Sequence, residues 1–224
     1  MSVAENLLFI KKTLPQNVTL VAVSKTQPNE KILEAYQAGH KIFGENYVQE
    51  LVNKANSLPN DIEWHFIGHL QSNKVKYIAP FVYLIHGVDS LKLLKEINKQ
   101  GEKNNRIIKC LLQIHIAKEE TKFGLNETEL FEILNSEELK KLQFINITGL
   151  MGMASKTNNA HEIKNEFLFL KKLFDSIQTA YKSFNINVTT LSMGMSNDYL
   201  LAVECGSNMV RIGSSIFGLR NYSK

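Results

Sequence analysis

One lysine of this sequence stands where an amine nucleophile is expected. Lys25 directly follows the apolar and small-residue run LVAVS at positions 20–24, which predicts a buried strand. Partial desolvation at the end of such a strand lowers a lysine pKa from about 10.4 toward neutrality and makes the amine nucleophilic. Lys25 could therefore form a Schiff base with a carbonyl compound. The sequence leaves one alternative open, in which the side chain only extends to the rim of the domain.

Two turns rich in glycine and serine indicate an anion site. The segment SMGMSN at 192–197 follows a predicted strand, and Ser196 is placed with Asn197 to cap a helix. The segment RIGSS at 211–215 ends the last predicted strand and turns through Gly213 and Ser214. Backbone N–H groups at such helix starts bind phosphate, although the same residue types also serve ordinary turns and caps.

Eight apolar runs alternate with amphipathic segments and set the frame for these residues. Because the runs are continuously apolar, both faces of each strand should be covered, which is typical of a parallel sheet. Eight such units in 224 residues favour an α/β fold, namely a (β/α)₈ TIM-type barrel. We expect one barrel domain over 1–224, with an extra N-terminal helix at 3–13. An open doubly wound sheet is the alternative, but no G-x-G-x-x-G follows the first strand. The predicted strands are 20–24, 42–46, 64–68, 83–88, 107–116, 144–150, 188–193 and 209–212, and the longest predicted helix is 161–184.

A barrel would bring the candidate residues together, because its sites form at the carboxyl ends of the strands. Lys25 would then end the first strand, and the two glycine/serine turns would follow the seventh and eighth strands, where barrels favour phosphate. An amine facing a phosphate cradle suits a phosphorylated aldehyde, and pyridoxal 5′-phosphate (PLP) is the common cofactor of that form. An arginine such as Arg211 against the pyridine nitrogen would leave that nitrogen unprotonated, since a guanidinium does not release its proton. The chemistry would then be limited to proton transfer, or to none.

The remaining polar residues indicate no metal chemistry. His65 lies within WHFIG at 64–68 and suits a buried core histidine as well as a functional one, and His86 looks isolated. No carboxylate stands at metal-ligand spacing, and neither Cys110 nor Cys205 belongs to a CxxC pair. We therefore expect no metal ion and no disulfide scaffold.

Composition and charge exclude further classes of protein. The 26 Lys+Arg and 22 Asp+Glu give a net charge of +4 with alternating signs, so we expect no nucleic-acid partner. No run of about 18 apolar residues occurs, so we expect no membrane partner. The N-terminal segment lacks the long apolar core of a secretory leader, which predicts a cytoplasmic protein.

Seven motifs follow one another along the chain, and together they resemble one known family. They are AVSKT (22–26), FGENY (43–47), WHFIG with LQ and NK (64–74), KFG (122–124), GLM (149–151), LSMGMS (191–196) and VRIG (210–213). Each is weak alone, but in this order they resemble the pyridoxal phosphate homeostasis protein family, the YggS-like and PROSC proteins. One departure follows GLM, where the family usually has a proline shortly afterwards and this chain has Gly152, Met153 and Ala154.

The resemblance implies a barrel like the N-terminal domain of alanine racemase and a role for each matching residue. Lys25 would hold PLP as a Schiff base, and Arg211 would face the pyridine nitrogen. The phosphate would be bound near the two glycine/serine turns, two residues would surround the ring, and Met193 with Gly194 would line the pocket. The implied cofactor-binding set is Lys25, Asn46, His65, Met193, Ser196, Arg211, Gly213 and Ser214, with no catalytic residue and no metal ligand.

The function implied is PLP binding for intracellular PLP homeostasis, without established catalytic turnover and hence not as an enzyme. The alternative is a PLP-dependent amino-acid racemase, which needs acid–base groups on both faces of the substrate α-carbon. Only Lys25 is evident, since Tyr47 stands at a helix start and no further domain is expected after Gly218. A pure interaction protein with a decayed site is disfavoured by the intact lysine and turns. The expected partners are PLP and PLP-dependent apoenzymes, and the chain is a monomer or a weak homodimer.

Overall fold

The computed structural model describes residues 2–119 and 121–218. Within them nine strands form one sheet. Eight of the strands match the predicted apolar runs to within a few residues, whereas the two-residue strand Lys182–Ser183 lies in the segment predicted as the end of the long helix. The strands are β1 (Thr19–Val23), β2 (Ile42–Glu45), β3 (Glu63–Phe66), β4 (Leu84–Val88), β5 (Ile108–Ile114), β6 (Ile145–Gly152), β7 (Lys182–Ser183), β8 (Ile186–Ser192) and β9 (Met209–Ile212).

The sheet closes on itself through the pairing of β6 with β8. Neighbouring strands run in the order β6-β5-β4-β3-β2-β1-β9-β8, and the additional β6–β8 pairing joins the two ends. All of these pairs are parallel. The prediction of a (β/α)₈ barrel is therefore confirmed, and the open sheet is excluded. The short β7 pairs antiparallel with β8 and lies outside the closed ring.

Helices follow the strands and cover the outside of the barrel, and the N-terminal helix has its predicted bounds. A capping box between Ser2 and Glu5 starts that helix. Among the described residues, no helix combines the length and the apolar character that crossing a membrane requires. The helices are α1 (Val3–Thr13), α2 (Asn29–Gln37), α3 (Val48–Ser57), α4 (Val75–Ile78), α5 (Leu91–Lys103), α6 (Glu127–Leu134), α7 (Ala160–Ala180), α8 (Tyr199–Glu204) and α9 (Ser214–Phe217).

The long helix predicted to end at residue 184 ends at Ala180 instead. Tyr181 and Phe184 continue the apolar spacing of the helix, which explains the error. The chain turns there because the side-chain amide of the buried Asn185 donates hydrogen bonds to the carbonyls of Leu139 (2.7 Å) and Leu142 (3.0 Å). Residues 70–79, predicted as one helix, form only a 3₁₀ turn followed by the four-residue α4.

Side chains alternate along each strand between the barrel interior and the surrounding helices. A small cluster of Val21, Leu84, Leu111, Met151 and Met209 fills the interior. Their chain neighbours, such as Leu20 and Ala22, belong to the larger core between the barrel and the helices. The same alternation directs Val23 and Arg211 inward, two residues beyond Val21 and Met209.

Gly149 marks a place where two strands approach closely. It lies in β6 where the register with β8 shifts, and its φ is +157°. A Cβ atom at this position would stand 1.7 Å from the carbonyl oxygen of Thr190. The closure of the barrel therefore requires glycine here.

We expect Gly149→Ala to lower the free energy of unfolding by about 3 kcal/mol or more, since the clash is with backbone held on both sides. Gly39→Ala is the matched control, because Gly39 has φ +81° but no atom within 4 Å of the added Cβ. That control should lose only roughly 1–2 kcal/mol, the cost of a left-handed alanine. Urea unfolding of both variants measures the difference, and equal losses would contradict the close approach.

Candidate functional site

A cavity of about 1240 Å³ opens at the carboxyl ends of the barrel strands. Its wall is formed by residues that follow β1, β2, β3, β5, β6 and β8 and by the end of β9. The structure thereby brings together six of the eight residues proposed from sequence. These six are Lys25, Asn46, Ser196, Arg211, Gly213 and Ser214.

The other two proposed residues, His65 and Met193, are not among the described residues that line this cavity. Met193 is fully buried and points outward, into the core between the barrel and the helices. His65 points into the barrel, two residues before the cavity-lining Ile67 on the same side of the chain. Gly194 supports Arg211 through its backbone: the carbonyl of Gly194 accepts a hydrogen bond from the N–H of Arg211 at 3.0 Å.

Arg211 is held by three hydrogen bonds inside the barrel. Its Nη1 donates to the carbonyl oxygen of Ser192 (2.9 Å) and to Ser192 Oγ (2.7 Å), and its Nη2 donates to the carbonyl of Gly152 (3.0 Å). Burial lowers the pKa of Arg211 to about 10, and the nearby Asp198 opposes that shift. The guanidinium therefore stays positively charged at neutral pH.

Two buried histidines continue this network away from the cavity. Ser192 Oγ lies 3.2 Å from Nδ1 of His86, and Nε2 of His86 lies 3.0 Å from Nδ1 of His65. Burial lowers the pKa of both rings, that of His65 to about 3, so both are neutral at pH 7. The view of His86 as isolated was wrong, because the barrel register places it beside His65.

The turn that carries Lys25 is fixed by buried charges behind it. Lys54 of α3 is only 5% exposed and donates to the carbonyl of Ser24 and to the carboxylates of Glu45 and Glu50. Sequence reasoning missed Lys54 and Glu50. A signal existed, since Lys54 shares the helical spacing of the buried Leu51 and Leu58 and so stands on the inward face of α3.

The opposite wall of the cavity has features suited to an anion. The N–H of Gly213 donates to Ser196 Oγ at 3.3 Å, which joins the two glycine/serine turns. A Cβ at Gly213 would lie 3.1 Å from the carbonyl oxygen of Val23, so only glycine fits without displacement. The cationic side chains on the wall, Lys25, Lys122, Lys156 and Arg211, outnumber the acidic Asp198 and Glu204.

The loop where the chain departs from the family pattern is firmly anchored. The backbone N–H and the hydroxyl of Ser155 both donate to Glu166 of α7, at 2.7 Å and 2.6 Å. Lys122 reaches across the cavity wall and donates to the carbonyl of Ala154 at 2.7 Å. The missing proline therefore leaves an ordered loop beside the site.

The residues present fit a ligand that carries a phosphate, an aldehyde and a polar ring, as PLP does. Asn46 lines the cavity, and its buried Oδ1 has no hydrogen-bond partner among the described residues. Buried polar atoms of this kind are expected to be satisfied by a bound group. No cluster of three or more His, Cys, Asp or Glu side chains able to hold a metal occurs in the described part of the chain.

Comparison with known proteins gives one consistent result. A family model described as "Alanine racemase, N-terminal domain" matches residues 1–221. The pyridoxal phosphate homeostasis protein of Vibrio alginolyticus is 42% identical over 214 residues, which cover 93% of this chain and 89% of the relative. PipY of Synechococcus elongatus PCC7942, solved without PLP, is 36% identical over 97% of this chain and 100% of its own, with a TM-score of 0.90. The PLP-bound PipY structure gives a TM-score of 0.87. The chain therefore belongs to the pyridoxal phosphate homeostasis protein family, built on the alanine racemase N-terminal barrel.

Proposed function

We propose that this protein binds PLP in the cavity at the carboxyl ends of the strands and serves intracellular PLP homeostasis. One observation carries the proposal: a single cavity is lined by Lys25, which follows β1, by Ser196 and Gly213, which follow β8 and β9, and by Arg211 of β9. An amine, an anion cradle and a fixed cation thus face one space. A PLP-bound structure of a relative with the same barrel supports the same ligand.

Each residue of the site has a proposed task toward the cofactor. When bound, PLP supplies an aldehyde that condenses reversibly with a primary amine. Lys25 provides that amine, and Ser196, Gly213 and Ser214 hold the phosphate with hydroxyl and N–H groups. Arg211 keeps its charge and its position facing the ring nitrogen, which withholds a proton from that nitrogen.

We propose that the protein holds and releases PLP without turning over an amino acid. A racemase needs a second acid–base group opposite Lys25. Tyr199 is the tyrosine that lines the cavity among the described residues, but its hydroxyl is bonded to Thr13 Oγ1 of α1 at 3.0 Å. This engagement disfavours Tyr199 as the second group and so favours a carrier over a racemase.

The cellular setting is part of the same proposal. We place the protein in the cytoplasm, as one barrel domain over 1–224 that is a monomer or a weak homodimer. PLP-dependent apoenzymes are the proposed recipients of the cofactor. The modest net charge of +4 gives no reason to expect a nucleic-acid partner.

We expect Lys25→Ala to abolish the yellow, borohydride-reducible form of the protein with PLP while leaving the fold intact. The reason is that the half-buried Lys25 stands beyond the end of β1 and contributes little packing. Absorption spectra before and after borohydride, with peptide mapping of the reduced protein, test this directly. Circular dichroism and thermal unfolding check the fold.

Lys156→Ala is the matched control for Lys25→Ala. Lys156 also lines the cavity, is exposed, and keeps its backbone N–H bond to Glu119 (2.7 Å) when the side chain is removed. This control should retain the yellow form. A wild-type protein that stays colourless with added PLP, or an adduct that maps to another lysine, would contradict the assignment of Lys25.

We expect Arg211→Gln to raise the pKa of the pyridine nitrogen of bound PLP, because a positive charge beside that nitrogen is removed. The nitrogen-15 chemical shift of ring-labelled PLP should then change with pH in the neutral range. In the wild-type protein it should stay at the unprotonated value. Lys156→Ala, which leaves the guanidinium of Arg211 in place, is the control and should behave as wild type. Identical titrations of all three proteins would place Arg211 away from the ring.

A further inference from the structure

We propose that Lys54, Glu45 and Glu50 form a turn clamp that positions Lys25 for reaction with the aldehyde. The inference rests on the proposed function, in which Lys25 is the anchor of PLP. It assigns a task to three buried or half-buried charges that do not line the cavity among the described residues.

Lys54 uses all three of its N–H donors in this clamp. Its Nζ donates to the carbonyl of Ser24 at 2.7 Å, to Glu45 Oε1 at 2.8 Å and to Glu50 Oε1 at 2.6 Å. Glu45 is fully buried and also accepts the hydroxyl of Ser24 at 2.5 Å. Charge-assisted hydrogen bonds of this length are strong and directional.

The clamp holds the peptide groups on both sides of Lys25. The carbonyl of Ser24, which belongs to the peptide group before Lys25, accepts from Lys54. The N–H of Thr26, which belongs to the peptide group after Lys25, donates to Glu50 Oε1 at 2.6 Å. A single pair of side chains therefore fixes the orientation of the Lys25 backbone and the direction in which its side chain leaves the turn.

The backbone of this turn is strained, which indicates that its shape is imposed. Thr26 has φ +62°, in the left-handed region that a β-branched residue rarely adopts. Strain of this kind persists only where surrounding contacts determine it, and it is concentrated at functional sites. Two bonds hold the turn in this shape, one from the N–H of Thr26 to Glu50 and one from the N–H of Gln27 to the carbonyl of Ser24 at 3.0 Å.

Burying three charges is an inefficient way to stabilise a barrel. Desolvation of a buried ion pair offsets most of the attraction between its members, and apolar residues of similar size often stabilise as well. Burial indeed raises the pKa of Glu45 to about 7, despite the opposing effects of Lys54 and Ser24. A role in fixing the geometry of Lys25 explains the cluster better than a role in stability.

The experiment compares two ligands that differ at the aldehyde. PLP can react with Lys25, whereas pyridoxamine 5′-phosphate has the same ring and phosphate but no aldehyde. We expect Glu50→Ala to slow formation of the borohydride-trapped Lys25 adduct and to weaken PLP binding by roughly 10- to 100-fold, since small misplacements of a reacting group have effects of this size. Affinity for pyridoxamine 5′-phosphate should stay near the wild-type value.

Conservative variants separate positioning from folding. Glu50→Gln keeps the carbonyl oxygen that accepts from Thr26 and Lys54 and should restore most of the adduct rate. Glu50→Asp keeps the charge but is one methylene too short to reach both donors, so its rate of adduct formation should be intermediate. If Glu50→Ala does not fold, the comparison with the wild type is made with Glu50→Asp instead. Asp175→Ala removes another i,i+4 pair, Lys171–Asp175 on the exposed face of α7, and should change neither ligand's affinity.

The outcomes test the turn clamp separately from the proposed role of Lys25 as the anchor of PLP. Selective loss of PLP reactivity in Glu50→Ala, restored in Glu50→Gln, supports the clamp. Equal weakening of both ligands, or no change in either, overturns it. A wild-type protein that binds both ligands equally and forms no adduct at Lys25 overturns the assignment of Lys25 itself, whatever the Glu50 variants do.

Discussion

The pairing of β6 with β8 is the constraint on which the rest of the structure depends. It closes the parallel sheet, so each of the eight strands of the ring has a neighbour on both sides, and its side chains alternate between a small interior and a helical shell. The direct pairing of β1 with β9 places the ends of these strands side by side, and Arg211 and Lys25 line the same cavity. The close contact of Gly149 with the carbonyl of Thr190 is a consequence of the same seam.

Two buried polar groups near the site, one outside the barrel ring and one inside it, change stability with pH in opposite directions. Glu45 has a pKa raised to about 7 by burial, so its contribution to stability is complete below its ordinary pKa and is lost as pH rises through 7. His65 has a pKa lowered to about 3 by burial, so its contribution is complete above its ordinary pKa and is lost as pH falls toward 3. Both groups are present near the site although their burial costs stability. Glu45 lies behind the turn of Lys25, and His65 belongs to the hydrogen-bond network behind Arg211.

The sequence was sufficient for features that depend on local pattern. Apolar runs located the barrel strands, and the type of residue at each strand end located Lys25, Asn46 and Arg211. The contacts that support these residues depend on register between strands that are distant in sequence. His86 meets His65 because β3 and β4 pair His65 with Leu84, and Lys54 meets Ser24 across 30 residues. The helical spacing of Lys54 indicates its inward position but not its contact with Ser24, and no local pattern indicates the contacts of His86 or of Asn185.

The hydrogen bonds that fix Lys25 and Arg211, together with the large cavity in front of them, suit the proposed binding of a reactive aldehyde. Clamping of the Lys25 turn and three-point fixation of Arg211 reduce the ordering cost of binding, which favours tight capture. In the proposed function, release of PLP requires that water or an incoming amine can reach the bond to Lys25. A cavity of about 1240 Å³ exceeds the roughly 300–1,000 Å³ of common small-molecule sites and leaves room for such a reactant beside PLP. Enzymes that turn over reactive intermediates usually close to exclude water. The hydrogen bonds that hold Lys25 and Arg211 and the size of the cavity therefore agree with the proposed role in reversible storage of PLP.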